Sequence, residues 1–231
     1  RATANDEQTQ DLARRLVEAI VARTGARPHL VVNLLHRNRF DGNRDRAEAT
    51  GANAALDRAW RWFHAFADSA RARMVATAGR GLVLDLHGHG RPLPRLEWGY
   101  LVGRTALDVP DSLLERLATA SSVRRLAAEA RSGASFAALV RGPTSLGGLL
   151  QAAGYAGVPS PGQQSPGGED YFSGGFNTAR YGSRDGGTVD AVQLEAHGPG
   201  VRDTPEHRGR FAAALAAALD DFLRRQYGWA P

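Results

Sequence analysis

The chain has 231 residues, of which 42% are hydrophobic and 23% charged, and it contains no cysteine. This length and composition suit one globular α/β domain, and no apolar run reaches the roughly 20 residues that a membrane helix needs. Without cysteine, disulfides, thiolate metal sites and cysteine nucleophiles are excluded, so any metal must be held by His, Asp or Glu. The net charge is +5 and all 29 basic side chains are arginines. They are spread among acidic residues, which favours a solvated surface over a nucleic-acid groove.

The first part of the chain predicts a helix, a strand and a longer helix, in that order. Residues 9–23 place apolar side chains four apart, as in an amphipathic helix. Residues 28–35 form a short, nearly continuous apolar run that predicts an inner strand. Helical spacing returns over residues 45–76, with a stripe that we expect to face the core. The stripe consists of Leu56, Ala59, Trp60, Phe63, Phe66, Ala67 and Ala70.

The rest of the chain continues the alternation of strands and helices. Residues 81–86 and 98–103 predict strands, residues 111–152 predict short helices, and residues 154–188 predict a long loop. A fourth strand over residues 188–195 and a final helix that Thr204 caps complete the pattern. Such alternation predicts a three-layer α/β sandwich with a mixed, mainly parallel central sheet.

Polar residues are concentrated at three predicted strand ends, in residues 36–44, 85–90 and 193–197. Open α/β sheets bind their ligands at the carboxyl ends of strands. If the three strands are neighbours that point the same way, their ends form one cleft.

The second of these strand ends carries Asp85 and His87, two residues apart and therefore on the same side of a strand. Asp85 can then orient the imidazole of His87 for a metal, and His89 is a further candidate for this supporting role. The alternative is that both histidines simply satisfy a glycine-rich turn.

The third strand end carries Glu195, a carboxylate at the end of an apolar strand. Burying a carboxylate costs free energy unless it is paired, bound to a metal or used in catalysis. We interpret Glu195 as a general base that takes a proton from an activated water. A salt bridge to an arginine is the alternative.

The first strand end carries an arginine cluster, which would suit an acidic substrate because a guanidinium can bind a carboxylate through two hydrogen bonds. We expect substrate contact from Arg37 and Arg44, with Asn43 beside them, and a solvated position for Arg46.

Taken in order, Asp41-Gly42-Asn43-Arg44, Asp85-Leu86-His87 and Gln193-Leu194-Glu195 resemble the N-formylglutamate amidohydrolase family, whose fold is similar to that of zinc carboxypeptidases. The likeness extends over nearly the whole chain and includes residues 171–178. It implies a zinc ion with His87 as a ligand and Glu195 as the residue that activates water. It also implies that Arg37 polarises the scissile carbonyl, that Asn43 and Arg44 bind a substrate carboxylate, and that Tyr171 closes over the substrate.

The chain departs from the family in its metal-binding segment. Family members have an earlier strand with a proline-histidine segment that provides the first zinc ligand, and nothing before Asp6 matches it. We therefore expect residues 1–231 to form a single domain without the family's N-terminal strand and metal-ligand segment. Asp6 is the candidate for a second metal ligand, and a catalytic zinc requires three.

Three hypotheses follow. The first is a zinc-dependent amidohydrolase that acts on a linear amide next to a carboxylate, such as N-formylglutamate. The second keeps the zinc and the base but acts on peptides or cell-wall fragments. The third is an inactive family member that binds acidic ligands. The expected partner is thus a small acidic amide or peptide, without nucleic acid or membrane. The composition suits a cytoplasmic protein as well as an exported one that has lost an upstream segment.

Overall fold

We describe residues 5–231 of the chain in a computed structural model. The strands are β1 (Gly81–Gly88), β2 (Leu96–Gly99), β3 (Gly157–Val158) and β4 (Val189–Ala196). They form one four-stranded sheet in the order β1-β4-β2-β3. Strands β1 and β4 are parallel, β2 is antiparallel to β4, and β3 is parallel to β2. The sheet is therefore mixed and open, as the sequence predicts.

About half of the residues are helical, which makes this an α/β protein. No helix within residues 5–231 combines the length and the apolar character needed to cross a membrane. The helices are α1 (Thr9–Thr24), α2 (Arg46–Thr50), α3 (Ala54–Ala78), α4 (Arg104–Leu107), α5 (Asp111–Leu114), α6 (Arg124–Glu129), α7 (Phe136–Arg141), α8 (Leu146–Ala152), α9 (Phe176–Tyr181) and α10 (Pro205–Phe222).

The apolar core lies between one face of the sheet and helices α1 and α10. Leu194 of β4 is fully buried there, together with Leu12 of α1 and Leu215 of α10. Helix α10 begins where the sequence predicts, because the Thr204 hydroxyl accepts a hydrogen bond from the amide of His207 at 3.1 Å. The spacing of apolar residues thus located both helices of this layer correctly.

The other face of the sheet is covered by α3 and α9, and here the sequence prediction is partly wrong. Residues 45–76 form two helices rather than one, because the chain turns at Gly51 between α2 and α3. The predicted core stripe also fails at Phe66, which is 67% exposed, whereas His64 is the buried residue of α3. The spacing of apolar residues does not predict which part of a long helix is covered, and only part of α3 packs against the sheet.

Residues 28–35 form no strand in the structure, contrary to prediction. A strand needs a hydrogen-bonding neighbour, and within residues 5–231 none pairs with this segment or with the outer edge of β1. Instead, Leu34 is 75% exposed, and a groove of about 1390 Å³ separates the segment from β1. The segment has the composition of a strand, but the part of the chain that the structure describes offers it no neighbouring strand.

Two smaller corrections concern the middle of the chain. The strand predicted over residues 98–103 is β2, which starts and ends earlier and runs antiparallel to β4. The long loop predicted over residues 154–188 contains the short strand β3 and helix α9. Helix α9 carries Asn177, whose backbone and side chain contact Asn43 and Asp85.

Candidate functional site

The candidate site lies on the polar face of the sheet, where side chains of three strands are aligned by register. His87 of β1 is the register partner of Glu195 of β4, and Asp85 is the partner of Gln193. Glu97 of β2 lies opposite Glu195 on the other side of β4. Because alternate residues of a strand face the same way, these side chains project together from one face. The predicted convergence of the second and third strand ends is therefore present.

His87 is enclosed by three polar side chains. Its Nδ1 lies 2.8 Å from a carboxylate oxygen of Asp6, and its Nε2 lies 3.1 Å from a carboxylate oxygen of Asp85. The amide nitrogen of Asn43 lies 3.1 Å from the same Nε2. Asn43 of the polar segment 36–44 thus meets the end of β1 at the imidazole of His87, and Asp6, which the sequence suggested only by position, is beside it.

These contacts favour the protonated form of His87. Burial works against the imidazolium, but the carboxylates of Asp85 and Asp6 outweigh burial and hold the pKa of His87 well above its ordinary value. Burial likewise opposes the charged form of Asp6, yet His87 and Arg37 lower the pKa of Asp6. The pair is therefore an ion pair unless a metal replaces the proton of His87.

Glu195 is the least compensated carboxylate of the site. It is only 5% exposed, and its hydrogen-bond donor is the side-chain amide of Gln193 at 2.8 Å. Burial raises the pKa of Glu195 to about 7, against the opposing effect of His87 and with a further increase from Asp6. A carboxylate with a pKa near neutrality can both accept and return a proton under ordinary conditions.

Arg37 reaches the site from the segment that follows residues 28–35. Its guanidinium donates to Asp6 at 2.9 Å and to Asp41 at 3.0 Å. Arg44 shares Asp41 with it at 3.5 Å and forms a second ion pair with Glu48 at 3.2 Å. Of the two predicted substrate-binding arginines, the structure thus brings Arg37 next to Asp6 and places Arg44 one carboxylate further out.

Asn43 is held in place by helix α9. Its side-chain oxygen accepts a hydrogen bond from the backbone amide of Asn177 at 2.8 Å, which orients its amide nitrogen towards His87. Gly175 allows this approach, because a Cβ there would lie 2.5 Å from the Asn43 amide nitrogen. The side chain of Asn177 also donates to Asp85 at 3.3 Å. Because the amide nitrogen of Asn43 is a donor, it can hydrogen-bond Nε2 only when that ring nitrogen carries no proton, that is, when His87 is neutral.

Tyr171 and His89 have partners other than those that the sequence suggested. The hydroxyl of Tyr171 donates to the carbonyl of Trp98, and burial raises the pKa of Tyr171 well above its ordinary value. The Nε2 of His89 contacts the carbonyl of Arg95 at 2.8 Å, and its Nδ1 accepts from the amide of Arg91. Both ring nitrogens of His89 are thereby used within its own turn.

Sequence reasoning missed four residues of this face. Gln193 and Asn177 are buried and hydrogen-bond to residues of the site. Glu97 is buried and paired with Arg91 and Arg95, and Arg202 joins the ends of β1 and β4. Gln193 and Glu97 could have been found, because each is a polar residue in an otherwise apolar strand. Nothing in the sequence distinguishes Arg202 from the other arginines.

The residues of the site fit a metal only in part. Asp6 and His87 present an oxygen and a nitrogen 2.8 Å apart, close to the roughly 3.3 Å that separates two ligands of a tetrahedral zinc with bonds of about 2 Å. A catalytic zinc needs a third protein ligand, and within residues 5–231 no group of three His, Asp or Glu side chains is arranged to hold a metal. The described residues therefore offer two donors.

Comparison of the chain with family models, with curated proteins and with solved structures finds no match. His87 and Arg37 line the groove that runs along β1, and the buried carboxylate of raised pKa, Glu195, is the register partner of His87 on the neighbouring strand. Such a set can bind an anion or carbonyl and move a proton next to it.

Proposed function

We propose that the chain is a hydrolase of the N-formylglutamate amidohydrolase type, which cleaves a linear amide bond next to a carboxylate-bearing group. The alignment of His87 with Glu195 on parallel strands and the nearness of Asp6, Arg37 and Asn43 support this proposal. The mixed sheet, with its polar residues at the carboxyl ends of β1 and β4, supports a zinc carboxypeptidase-like fold as part of the same proposal.

In the proposed reaction Glu195 is the general base. Its ionised form takes a proton from the attacking water, and its neutral form then gives that proton to the leaving amine. Arg37 is the residue that polarises the scissile carbonyl in this proposal. Its guanidinium is held by Asp6, next to His87, and a fixed guanidinium stabilises the negative charge that develops on a carbonyl oxygen. Arg44 is the candidate for holding the substrate carboxylate at the outer side of Asp41.

We propose zinc as the cofactor, with Asp6 and His87 as two of its ligands and with the third donor still to be found. When bound, zinc would supply Lewis-acid activation of water and of the carbonyl. Asp85 would then orient the His87 ring through its contact with Nε2.

The observation that carries the proposal is the state of Glu195. A carboxylate that is 5% exposed and has no arginine partner within residues 5–231 is costly to keep ionised, so its burial beside His87 calls for a role. Structural carboxylates of the same face, such as Glu97, are instead paired with arginines.

The test is a substrate panel assayed with and without added zinc. The panel contains N-formylglutamate, N-acetylglutamate, a neutral N-formyl amino acid amide, and short peptides with a free terminal carboxylate. We expect release of formate and glutamate from the first, and loss of this activity in Glu195→Gln. Glu129→Gln is the matched control, since Glu129 is an exposed residue paired with Arg125. Equal turnover by Glu195→Gln and the wild type would refute the role of Glu195.

A second candidate function is binding of acidic ligands without catalysis. The presence of two rather than three metal donors among the described residues favours it. Isothermal titration with glutamate and N-formylglutamate, alongside metal analysis, separates the two candidates. Binding of both ligands by a zinc-free protein that turns over neither would support this function over hydrolysis.

A further inference from the structure

Arg202 joins three separate parts of the chain at the edge of the candidate site. Its Nε donates to the carbonyl of Ala196 at the end of β4, at 2.8 Å. Its Nη2 donates to the carbonyl of His89 just after β1, at 3.0 Å. Its Nη1 donates to the carbonyl of Glu7, the residue that follows Asp6. The guanidinium thus connects the ends of both site strands to the segment that carries Asp6.

This arginine is unusual in its surroundings. It is 7% exposed, and among residues 5–231 no carboxylate lies within ion-pair distance of its guanidinium. Burial lowers the pKa of Arg202, while the charges of Asp6 and Glu195 act in the opposite direction. A buried cation bonded only to carbonyls costs free energy, so its retention next to two site carboxylates calls for an explanation.

Gly88 at the end of β1 leaves space for the guanidinium of Arg202 because it has no side chain. A Cβ at Gly88 would lie 2.5 Å from the guanidinium carbon of Arg202, so a side chain there would displace the guanidinium. The backbone amide of Gly88 also lies near Asp6 and contributes to the lowered pKa of that carboxyl. One residue without a side chain therefore lets Arg202 approach the strand end and also lies near the carboxylate that Arg202 helps to place.

We propose that Arg202 is a positioning residue of this site, which fixes Asp6 beside His87 by holding the backbone of Glu7 against the ends of β1 and β4. No other hydrogen bond from the described residues joins the carbonyl of Glu7 to the strand ends. Without the guanidinium, the segment before α1 loses this attachment and Asp6 loses its fixed distance to His87. The catalytic meaning of this position rests on the proposed function, but the positioning itself does not.

The experiment compares the wild type with Arg202→Ala and uses methylguanidinium to refill the space left by the side chain. Amide hydrogen exchange of residues 5–10 is measured for every sample, and zinc affinity and amide hydrolysis are measured in parallel. We expect faster exchange at residues 5–10 in Arg202→Ala. We also expect about a 10- to 100-fold loss of zinc affinity and of kcat with a smaller change in KM, as for other residues that orient metal ligands. Millimolar methylguanidinium should restore all three.

Arg141→Ala is the matched control. Arg141 is 5% exposed and also donates to two carbonyls, those of Leu107 and Val109, at 2.8 and 2.9 Å, but it contacts none of the site residues. Its loss should lower stability without changing exchange at residues 5–10. If Arg202→Ala does not fold, Gly88→Ala replaces it, because the added methyl group displaces the guanidinium from the strand end.

The outcomes separate this proposal from the proposed function. Unchanged exchange at residues 5–10 in a folded Arg202→Ala or Gly88→Ala protein would overturn the positioning role. The positioning role would also be overturned if methylguanidinium failed to restore exchange, zinc affinity and kcat in Arg202→Ala. The same holds if Arg141→Ala changed these quantities as Arg202→Ala does. If the wild type hydrolyses no substrate but exchange and rescue behave as expected, the positioning role stands and the proposed hydrolysis fails.

Discussion

Glu97 of β2 lies directly opposite Glu195 of β4, so that two carboxylates face each other across neighbouring strands of the sheet. Opposite residues of an antiparallel pair have Cβ atoms about 4.5–5.5 Å apart, and like charges at that distance repel. Glu97 is compensated by Arg91 and by Arg95, each at 3.3 Å. Among residues 5–231 Glu195 has no such partner, and burial raises its pKa to about 7. One face of the sheet thus holds one carboxylate paired with arginines and one that is not, and enzymes use such different environments to separate the roles of two carboxylates.

The first prediction concerns the pH dependence of hydrolysis. As a general base, Glu195 must be ionised, and its pKa lies at about 7. We therefore expect kcat/KM to rise about tenfold per pH unit below pH 7 and to level off above it. A profile that is flat between pH 5 and pH 8 would contradict this role. In Glu195→Gln, we expect kcat to fall by about 10²- to 10⁴-fold with little change in KM.

The second prediction concerns Arg37, whose guanidinium bridges Asp6 and Asp41 with its side chain 23% exposed. Replacing it with methionine leaves two carboxylates without their shared cation. We expect Arg37→Met to lower the free energy of unfolding by about 1–3 kcal/mol and to lower kcat more than it raises KM, because the proposed role of Arg37 is to stabilise charge that develops on the scissile carbonyl. Urea denaturation and steady-state kinetics measure the two effects. Arg61→Met, which removes an exposed pair with Asp57, should change stability by less than about 1 kcal/mol. Equal effects of the two substitutions would argue against a specific role of Arg37.

The third prediction concerns Gly99 at the end of β2. A Cβ there would lie 2.5 Å from the backbone nitrogen of Gly174 and 2.7 Å from the carbonyl carbon of Ser173, so the loop that leads into α9 must move to accept it. We expect Gly99→Ala to destabilise the protein by about 1–3 kcal/mol in urea denaturation. Gly103→Ala is the control, because a Cβ at Gly103 meets nothing within 4 Å. If Gly99→Ala were as stable as Gly103→Ala, the loop that leads into α9 could move without cost and the prediction would be wrong.

The fourth prediction concerns His64, which is buried in α3 against Trp60 and Phe176 and bonded to the hydroxyl of Tyr181. Burial lowers the pKa of His64 from 6.5 to about 4. The unfolded chain therefore binds a proton that the folded protein does not, and this contribution to stability is lost as the pH falls through that range.

We expect the difference in free energy of unfolding between the wild type and His64→Phe to be constant above pH 6.5. Below that pH, the wild type should lose about 1.4 kcal/mol per pH unit relative to the variant. Urea denaturation of both proteins at intervals between pH 4.5 and pH 8 measures this difference. A difference that does not vary with pH would mean that His64 titrates normally in the folded protein.

The sequence predicted correctly those elements that pack against or pair with another element visible in the same sequence pattern. Helices α1 and α10 bury their apolar stripes against each other and the sheet, and β1 and β4 pair along their whole lengths. It failed for residues 28–35, where strand propensity is high but no described strand lies beside the segment. It also failed for Phe66, because the periodicity of a long helix does not reveal how much of its length is covered.

The candidate site was predictable to a similar degree. His87 and Glu195 could be brought together because adjacent parallel strands end at the same edge of a sheet, and the structure aligns them. The bonds that hold them could not be predicted, since Asn43 is oriented by Asn177 from a helix that begins 133 positions later. The role of Arg202 could not be predicted either, because its partners are backbone carbonyls, which have no sequence signature.

Within residues 5–231 no strand pairs with the outer edge of β1, and this open edge has a consequence for the behaviour of the chain at high concentration. An open strand edge offers amide and carbonyl groups to any other strand, so two copies can join edge to edge into an extended sheet. The net charge of +5 opposes this contact through mutual repulsion between copies. Raising the ionic strength screens that repulsion, so light scattering should show association that increases with salt and weakens when a lysine replaces Val83 at the middle of the strand.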